Sequence, residues 1–559
     1  MIFYMKETAV RIVIIGAVAA GTSAAAKARR NDEGAEITVY ERDRFISYSG
    51  CGMPYFLGDE VKSLSDLTPR DPAFFRAKYR VEVKTRHEAL SIDPERKIVT
   101  VRNLETGETF DDRWDKLIIA TGASAARPAI TGADREDVFV LRTINDMIRI
   151  KEWIAERRPD AAAIVGTGFI GLEVCENLAR LGIAVTLVEK LDQVTPGLDP
   201  DMAILVRERL EKNGVKVFTG ASITEVGNGA VVLADGTRIS SGLTLLAAGV
   251  RPETSLAKAC GVELGVAGAI KTNAKMETSV PGIWACGDCV EHTHLVTGKK
   301  VWRPLGSTAN KTGRIAGDRI TGGSLEFRGV LGTGIFSVFG LAVAQTGLSE
   351  REARESGYEV TVCHNIKPDR PEYLGGTEMT IKGIADASTG RVLGAQIVGE
   401  SGVDKRIDVI ATAITFGARA EDLFHLDLAY APPFSTTKDP VMYTGMILDN
   451  AISRGRPLIT PAELDRLVDS GEAYAVIDAR VAKQYDSAHV PGAINLPHES
   501  IRENLEALDK DATVVTYCNK GTTGNAAQNI LLNRGFTNVK NLSGGYKQYR
   551  ATHAARLRE

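Results

Sequence analysis

The sequence has no apolar run of the ~18 residues that a membrane-spanning helix needs, so its hydrophobic side chains belong to folded interiors. It also lacks a strong charge of either sign, since 68 basic and 71 acidic side chains leave a formal charge of −3. That balance offers no polycation to a nucleic-acid backbone or an anionic membrane, and any basic site must be local. Aromatic residues make up only 6% of the chain, whereas glycine, at 55 residues, is plentiful. This pairing is typical of α/β proteins with several tight nucleotide-binding turns. The seven cysteines are odd in number and scattered, which argues against a secreted disulfide framework and fits free thiols in a reducing compartment. No cleavable leader pattern is visible, because MIFYMKETA runs directly into VRIVIIG. A soluble cytoplasmic protein is expected, with those first residues a loose extension and Met5 an alternative start.

What is present is enough for several cores: 559 residues with 44% apolar content predict roughly three or four domains. Val10–Ile15 is an apolar run ending at Gly16, then AVAAGTSAAAKARR reads as a small-residue helix and ITVYE as a second strand ending at Glu41. The order strand, glycine turn, helix, strand, acid is that of a dinucleotide-binding unit. It recurs in AAAIVGTGFIGLEVCENLARLG followed by AVTLVE, with Gly166, Gly168 and Gly171 in the turn and Glu189 at the next strand end. Between the two lie KLIIATGA, a strand meeting Thr121 and Gly122, and a helix expected from Thr143 to Arg157. GIWACGDCV then brings a strand to Gly287 and Asp288, so the second nucleotide unit is inserted into the first.

The first turn is incomplete, with Gly16 and Gly21 flanking Val18 where a glycine would give the most open approach. It still delivers backbone N–H groups at a helix start to a pyrophosphate, and Glu41 with its neighbour Arg42 stands where a ribose would lie. Asp288 is placed to hold a ribityl or ribose hydroxyl of the same cofactor. The second turn is complete. The negative charge of Glu189 would accept from a 2′-hydroxyl and repel a 2′-phosphate, favouring NADH over NADPH, although Lys190 blurs that discrimination. Two such sites in one chain point to a flavin held permanently and a nicotinamide that visits.

Cys51, in FISYSGCGMPYF, has no neighbouring cysteine. Gly52 permits close backbone approach and Pro54 suits a first helical turn, so orphan N–H groups and a helix dipole are expected to favour the thiolate. A lone thiol cannot store an electron pair by opening an internal disulfide. It must alternate between thiolate and a form bonded to something external, such as a mixed disulfide, a persulfide or a sulfenate. The substrate is then a small disulfide, a persulfide or polysulfide, or a peroxide.

From about residue 331 the pattern changes to alternating segments such as EMTIKGIAD and VLGAQIVG, then helix-like VDKRIDVIATAITFGA, reading as a separate α+β domain. GRPLIT, near 455–460, is the interdomain linker candidate. The last hundred or so residues restart an α/β pattern, with Asp478 and Arg480 ending one strand and Cys518 in the loop YCNKGTTGNAAQ before a helix. A thiolate cradled by loop amides there could hold a sulfane sulfur. Cys286 and Cys289 form a C-x-x-C without a second pair, which argues against zinc, and no metal is expected. His292 and His294 alternate as if lining a pocket or surface. Tyr373 and Tyr430 carry phenols that can give a proton to a leaving thiolate, or simply pack.

Taken together, ISYSGCGMPYF, GAVAAG with its central valine, IVGTGFIGLE, WACGDCVE and LAYAPPFSTTKDPV resemble the single-cysteine flavoprotein disulfide reductases, specifically the coenzyme A-disulfide reductases. The C-terminal VIDAR, HVPGAINLP and cysteine loop resemble a rhodanese domain, and the whole chain is similar to the fused coenzyme A-disulfide reductase–rhodanese proteins. The resemblance implies two Rossmann-like domains, for FAD (1–150 with 283–330) and NAD (151–282), then a dimerisation domain (331–453) and a rhodanese-like domain (454–559). It implies NADH-driven reduction of coenzyme A persulfide, polysulfide or coenzyme A disulfide, coenzyme A being substrate or bound ligand. Cys51 becomes the redox cysteine beside the flavin, and Tyr373 and Tyr430 reach the partner subunit's site in a homodimer. Cys518 matches the sulfur-carrying cysteine, but Thr523 stands where the active loop usually has an arginine, and Lys520 is the remaining loop cation. The competing readings are an NADH oxidase or peroxidase cycling through a Cys51 sulfenate, a sulfurtransferase whose reductase body recycles its carrier, and a non-enzymatic redox sensor.

Overall fold

A computed structural model describes residues 9–506 and 508–554. The first residues and Met5, expected to be a loose extension, lie outside the described residues. The chain divides into two compact units: residues up to Lys190 with Gly220–Gly332, and Leu191–Thr219 with the residues from Thr333 onward.

In the first unit, Arg11–Ile15 is the middle of a five-stranded sheet ordered Ile283–Ala285, Lys116–Ile119, Arg11–Ile15, Glu36–Glu41 and Glu82–Thr85. All four pairings are parallel. Ile12, Val13 and Ile14 are fully buried, the continuous apolar strand expected when both faces are covered. The parallel register, pairing Ile15 with Tyr40 and with Ile119, gathers Gly16, Glu41, Thr121 and Asp288 at one carboxyl edge. Ala161–Val165 does the same in a second parallel sheet, pairing with Ala184–Val188 and Leu243–Leu246. This brings Gly166 and Glu189 to its edge. The expected helix after Thr143 runs Ile144–Arg157, with Thr143 and Asp146 forming a reciprocal cap.

In the second unit an antiparallel five-stranded sheet, ordered Gly334–Val338, Leu341–Gly347, Val392–Gly399, Glu378–Asp386 and Val360–Pro368, carries the helices Val403–Thr415 and Pro440–Ser453. A parallel sheet follows, ordered Leu458–Ile459, Val539–Leu542, Thr513–Tyr517, Tyr474–Asp478 and Ile494–Asn495. The linker expected at 455–460 follows the helix Pro440–Ser453, and its Leu458 and Ile459 pair with Asn541 and Leu542 as an edge strand of the parallel sheet. Two residues are too short for alternation to betray a strand, and the pairing that makes them one comes from far along the chain.

A charged cluster is buried in this unit. Lys382, 1% exposed, contacts Asp199, Asp201 and Glu350 at 3.2, 2.8 and 2.8 Å. Burial alone would lower the Lys382 ammonium, but Asp201 leads the three carboxylates in holding it above its ordinary value. His364 Nε2 lies 2.8 Å from Asp201, and its Nδ1 lies 2.9 Å from Ser543 Oγ, which also accepts from the His364 backbone N–H. Gln548 Nε2 donates to the Asp201 carbonyl at 2.8 Å. The C-terminal sheet region is thus clasped to the antiparallel sheet and to the helix Pro200–Lys212. Among the described residues no helix is long and apolar enough to cross a membrane, and no group of three His, Cys, Asp or Glu side chains could hold a metal.

Candidate active site

Cys51 occupies a single 3₁₀ turn, Gly50–Gly52, that runs into the five-residue helix Met53–Leu57, and its side chain is exposed. A Cβ on Gly52 would stand 2.4 Å from Leu67 Cδ2, so the turn packs closely against the Leu67 side chain, which would have to shift for a larger residue. Lys151 Nζ donates to the carbonyls of Phe56 and Leu57, closing the far end of that helix. Against the expected stabilisation of the thiolate, burial by surrounding protein pushes the Cys51 thiol up, as do Glu173 and Asp288, while Arg142 opposes them. A helix of little more than one turn offers only a weak dipole to set against burial and two carboxylates.

Glu173, unmarked in the sequence reading, lies in the helix Phe169–Arg180 and accepts from Tyr55 Oη at 3.3 Å. Burial raises its carboxyl to about 7, with Tyr55 opposing and Glu176 adding to the rise. Its sequence signal was an acid inside the apolar run FIGLEVC. Arg142, also unmarked, donates to Asp288 Oδ2 at 2.8 Å and to the Ala123 carbonyl.

The two nucleotide turns share one construction. Gly16 and Gly166 have φ of 103° and 102°, and an added Cβ would strike the carbonyl of Ala120 or Ala247 at 2.3 or 2.4 Å. In each, the strand-end acid holds the N–H that follows the glycine: Ala17 N donates to Glu41 at 2.8 Å, and Thr167 N to Glu189 at 2.9 Å. Val18 sits partly buried at the start of the first helix, whereas nothing lies within 4 Å of a Cβ on Gly168. Thr121 Oγ1 is already spent on the Glu253 carbonyl, Gly122 turns at φ 72°, and Arg42 and Lys190 are exposed.

These residues fit FAD in the first turn. Asp288 Oδ1 is buried and has no hydrogen-bond partner among the described residues, an acceptor waiting for a hydroxyl donor. A Cβ on Gly287 would lie 2.7 Å from Ala20 Cβ, so the Asp288 loop closes directly over the first helix. A cavity of about 520 Å³, unforeseen from sequence, is lined by Arg30, Arg70, Arg314, Phe74, Tyr79 and the segment Ser47–Ser49 just before Cys51. Its arginines are far apart in the chain, which hid them.

Cys286 and Cys289 are fully buried free thiols. The surface or pocket position expected of His292 and His294 is corrected, since each is 1% exposed. Only His292–Thr293 forms a strand, so the alternation does not continue. Tyr373 and Tyr430 belong to the second unit, 77% and 48% exposed.

Cys518, 6% exposed, follows the strand Thr513–Tyr517 and opens onto a cavity of about 370 Å³ lined also by Arg480, Asn519, Lys520, Thr522 and Thr523. Asp478 and Arg480 form a buried pair at 2.6 Å, and Arg480 Nη1 reaches Asn519 in the loop. They brace the loop beside the sulfur.

Two nucleotide turns in one unit with an accessible lone thiol define a two-electron oxidoreductase acting on sulfur. Family models match residues 10–311 as pyridine nucleotide-disulphide oxidoreductase, 334–440 as its dimerisation domain and 460–552 as rhodanese-like, and the chain belongs to the pyridine nucleotide-disulphide oxidoreductase family, which is FAD- and NAD(P)H-dependent. It is 36% identical to the NAD(P)H sulfur oxidoreductase (CoA-dependent) of Pyrococcus furiosus, over 78% of this chain and 99% of that one. It is similar to the structure of reduced Bacillus anthracis CoADR-RHD, with TM-score 0.95, 36% identity and coverage of 98% and 99%. The NAD-dependent persulfide reductase of A. fulgidus matches with TM-score 0.89, 36% identity and coverage of 97% and 99%.

Proposed function

We propose that this chain is an NADH-dependent reductase of coenzyme A persulfide, polysulfide or coenzyme A disulfide, working through Cys51 and using Cys518 as a sulfur relay. The observation that carries the reading is the cavity beside Ser47–Ser49, whose three arginines suit phosphates and whose aromatic rings suit an adenine. The domain division follows the family order: an FAD-binding part, an inserted NAD-binding part, a dimerisation domain and a rhodanese-like domain.

Gly16, Val18, Gly21, Glu41, Arg42, Thr121, Gly122 and Asp288 hold FAD, and Gly166, Gly168, Gly171 and Glu189 hold the nicotinamide nucleotide. When bound, FAD reduced by NADH supplies the electron pair that returns oxidised Cys51 sulfur to thiolate. The Cys51 thiolate attacks the inner sulfur of a persulfide, forming a mixed disulfide as the substrate S–S bond breaks and hydrosulfide leaves. With a disulfide the leaving group is the second thiolate. The protein assembles as a homodimer in which Tyr373 and Tyr430 give the departing sulfur its proton at the site of the partner subunit. Glu173, whose carboxylate accepts from Tyr55, sets the proton balance at Cys51 through its charge.

The test is anaerobic NADH turnover, with sulfide measured, against coenzyme A persulfide, coenzyme A disulfide, polysulfide, glutathione disulfide and peroxide. Turnover with the coenzyme A-linked substrates that disappears in Cys51→Ser is expected. Peroxide as the preferred oxidant would replace this reading with the sulfenate one, and undiminished sulfide release in Cys51→Ser would overturn it.

A further inference from the structure

The sulfur loop at Cys518 has one cation of its own, and its charge is already taken. Lys520 pairs with one carboxylate oxygen of Glu378, and Lys547 with the other. The adjoining antiparallel sheet brings a different charge to the cavity. Lys367, near the end of the strand Val360–Pro368, donates from Nζ to Thr522 Oγ1 at 3.3 Å, and Thr522 lines the cavity with Cys518. The same ammonium lies 4.3 Å from the centre of the Tyr443 ring, and Lys438 lies over that ring at 5.3 Å. Among the described residues no carboxylate contributes to the electrostatics of Lys367. Burial lowers its ammonium, Lys520 and Lys438 lower it further, and Cys518 is the one group that opposes them. Half-buried Lys367, tied to the cavity wall through Thr522, and exposed Lys438 beside it on the Tyr443 ring repel one another and, among the described residues, face no carboxylate, which makes them an anion site.

We propose that Lys367 and Lys438 make the mouth of the Cys518 cavity a receptor for the phosphate groups of a sulfane-sulfur carrier, a phosphorylated thiol persulfide. The inference rests on the reading of Cys518 as a relay and adds the donor class it accepts. The position of the charge selects that class. Arg480 and Lys520 inside the cavity are neutralised by Asp478 and Glu378, so the cations left at the rim, with the hydroxyls of Thr522 and Thr523 inside, suit a ligand whose negative charge is separated from its reactive sulfur. A compact inorganic anion would need the charge next to Cys518. In the step served, the Cys518 thiolate attacks the outer sulfur of the persulfide. A new S–S bond forms at Cys518, the carrier's S–S bond breaks, the proton stays on the transferred sulfur, and the carrier leaves as its thiolate.

The test loads sulfur onto the full-length protein and reads the Cys518 peptide by mass spectrometry after alkylation. Coenzyme A persulfide is the phosphate-bearing probe and N-acetylcysteamine persulfide the phosphate-free one. Lys367→Met is expected to raise the half-loading concentration of the coenzyme A probe by roughly ten- to a hundredfold, the worth of one charged hydrogen bond, and to leave the phosphate-free probe unchanged. Lys367→Arg keeps the charge and is expected to weaken the coenzyme A probe less than Lys367→Met does, and Lys438→Ala weakens only the phosphate-bearing probe. Equal half-loading in the parent and Lys367→Met, or equal weakening of both probes, overturns the receptor while leaving the relay intact. A parent protein whose Cys518 takes sulfur from neither probe removes the relay and the receptor together.

Discussion

At Cys51 the protein works against the thiolate it needs, and Glu173 is the charged neighbour most responsible. The carboxyl of Glu173 titrates near 7, above its unfolded value, because its ionised form is poorly solvated in the fold. The penalty is absent below the ordinary carboxylate range, where both states are protonated, and grows as pH rises to about 7. Glu173→Gln is therefore predicted to stabilise the protein by about 1–3 kcal/mol at pH 8 and by almost nothing at pH 4, which denaturant titrations at the two pH values check. The same substitution removes a negative charge from the thiol. Alkylation of Cys51 at pH 8 should be about two- to fivefold faster than in the parent, and an unchanged rate would dismiss Glu173 as its modulator. The lone cysteine was legible in the sequence because its isolation limits its chemistry. Glu173, Tyr55 and Arg142 were not, since a contact between positions 55 and 173 leaves no trace in local spacing.

The two nucleotide turns were legible as elements because strand, glycine and helix each impose a local pattern. What separates their glycines is visible only in three dimensions. A Cβ at Gly168 meets open space and one at Gly171 would lie 2.2 Å from the Gly166 carbonyl oxygen. Gly171→Ala is predicted to cost about 1–3 kcal/mol of stability as an overpacked contact, measured by denaturation. Gly168→Ala should fold like the parent yet raise KM for NADH by about tenfold, since the methyl group fills the path of the pyrophosphate; an unchanged KM would count against nucleotide binding there. Glu189 also carries two duties, because it anchors both the backbone and hydroxyl of Thr167. Exchanging it for a neutral residue to admit NADPH should loosen the turn as well as remove the repulsion, so kcat/KM for both nucleotides would fall.

For the whole molecule, the clasp around Lys382 was hidden because positions 201, 364, 382 and 543 lie in separate stretches of sequence, each unremarkable alone. Lysine among three carboxylates stands in for the water that burial removed, and Asp201, which burial alone would raise, is held well below its usual range by His364 and Lys382. Lys382→Met leaves those charges uncompensated and is predicted to destabilise the protein by about 3–5 kcal/mol, read from its urea midpoint. The edge strand Leu458–Ile459 escaped notice for the same reason, its partner Val539–Leu542 arriving eighty or so residues later. One practical consequence follows from Ser543 and Gln548 supplying partners to His364 and Asp201. Trimming away the C-terminal hundred residues to obtain a minimal reductase would strip those partners and wet a charged interior, so any activity the shortened protein lost would say little about sulfur transfer.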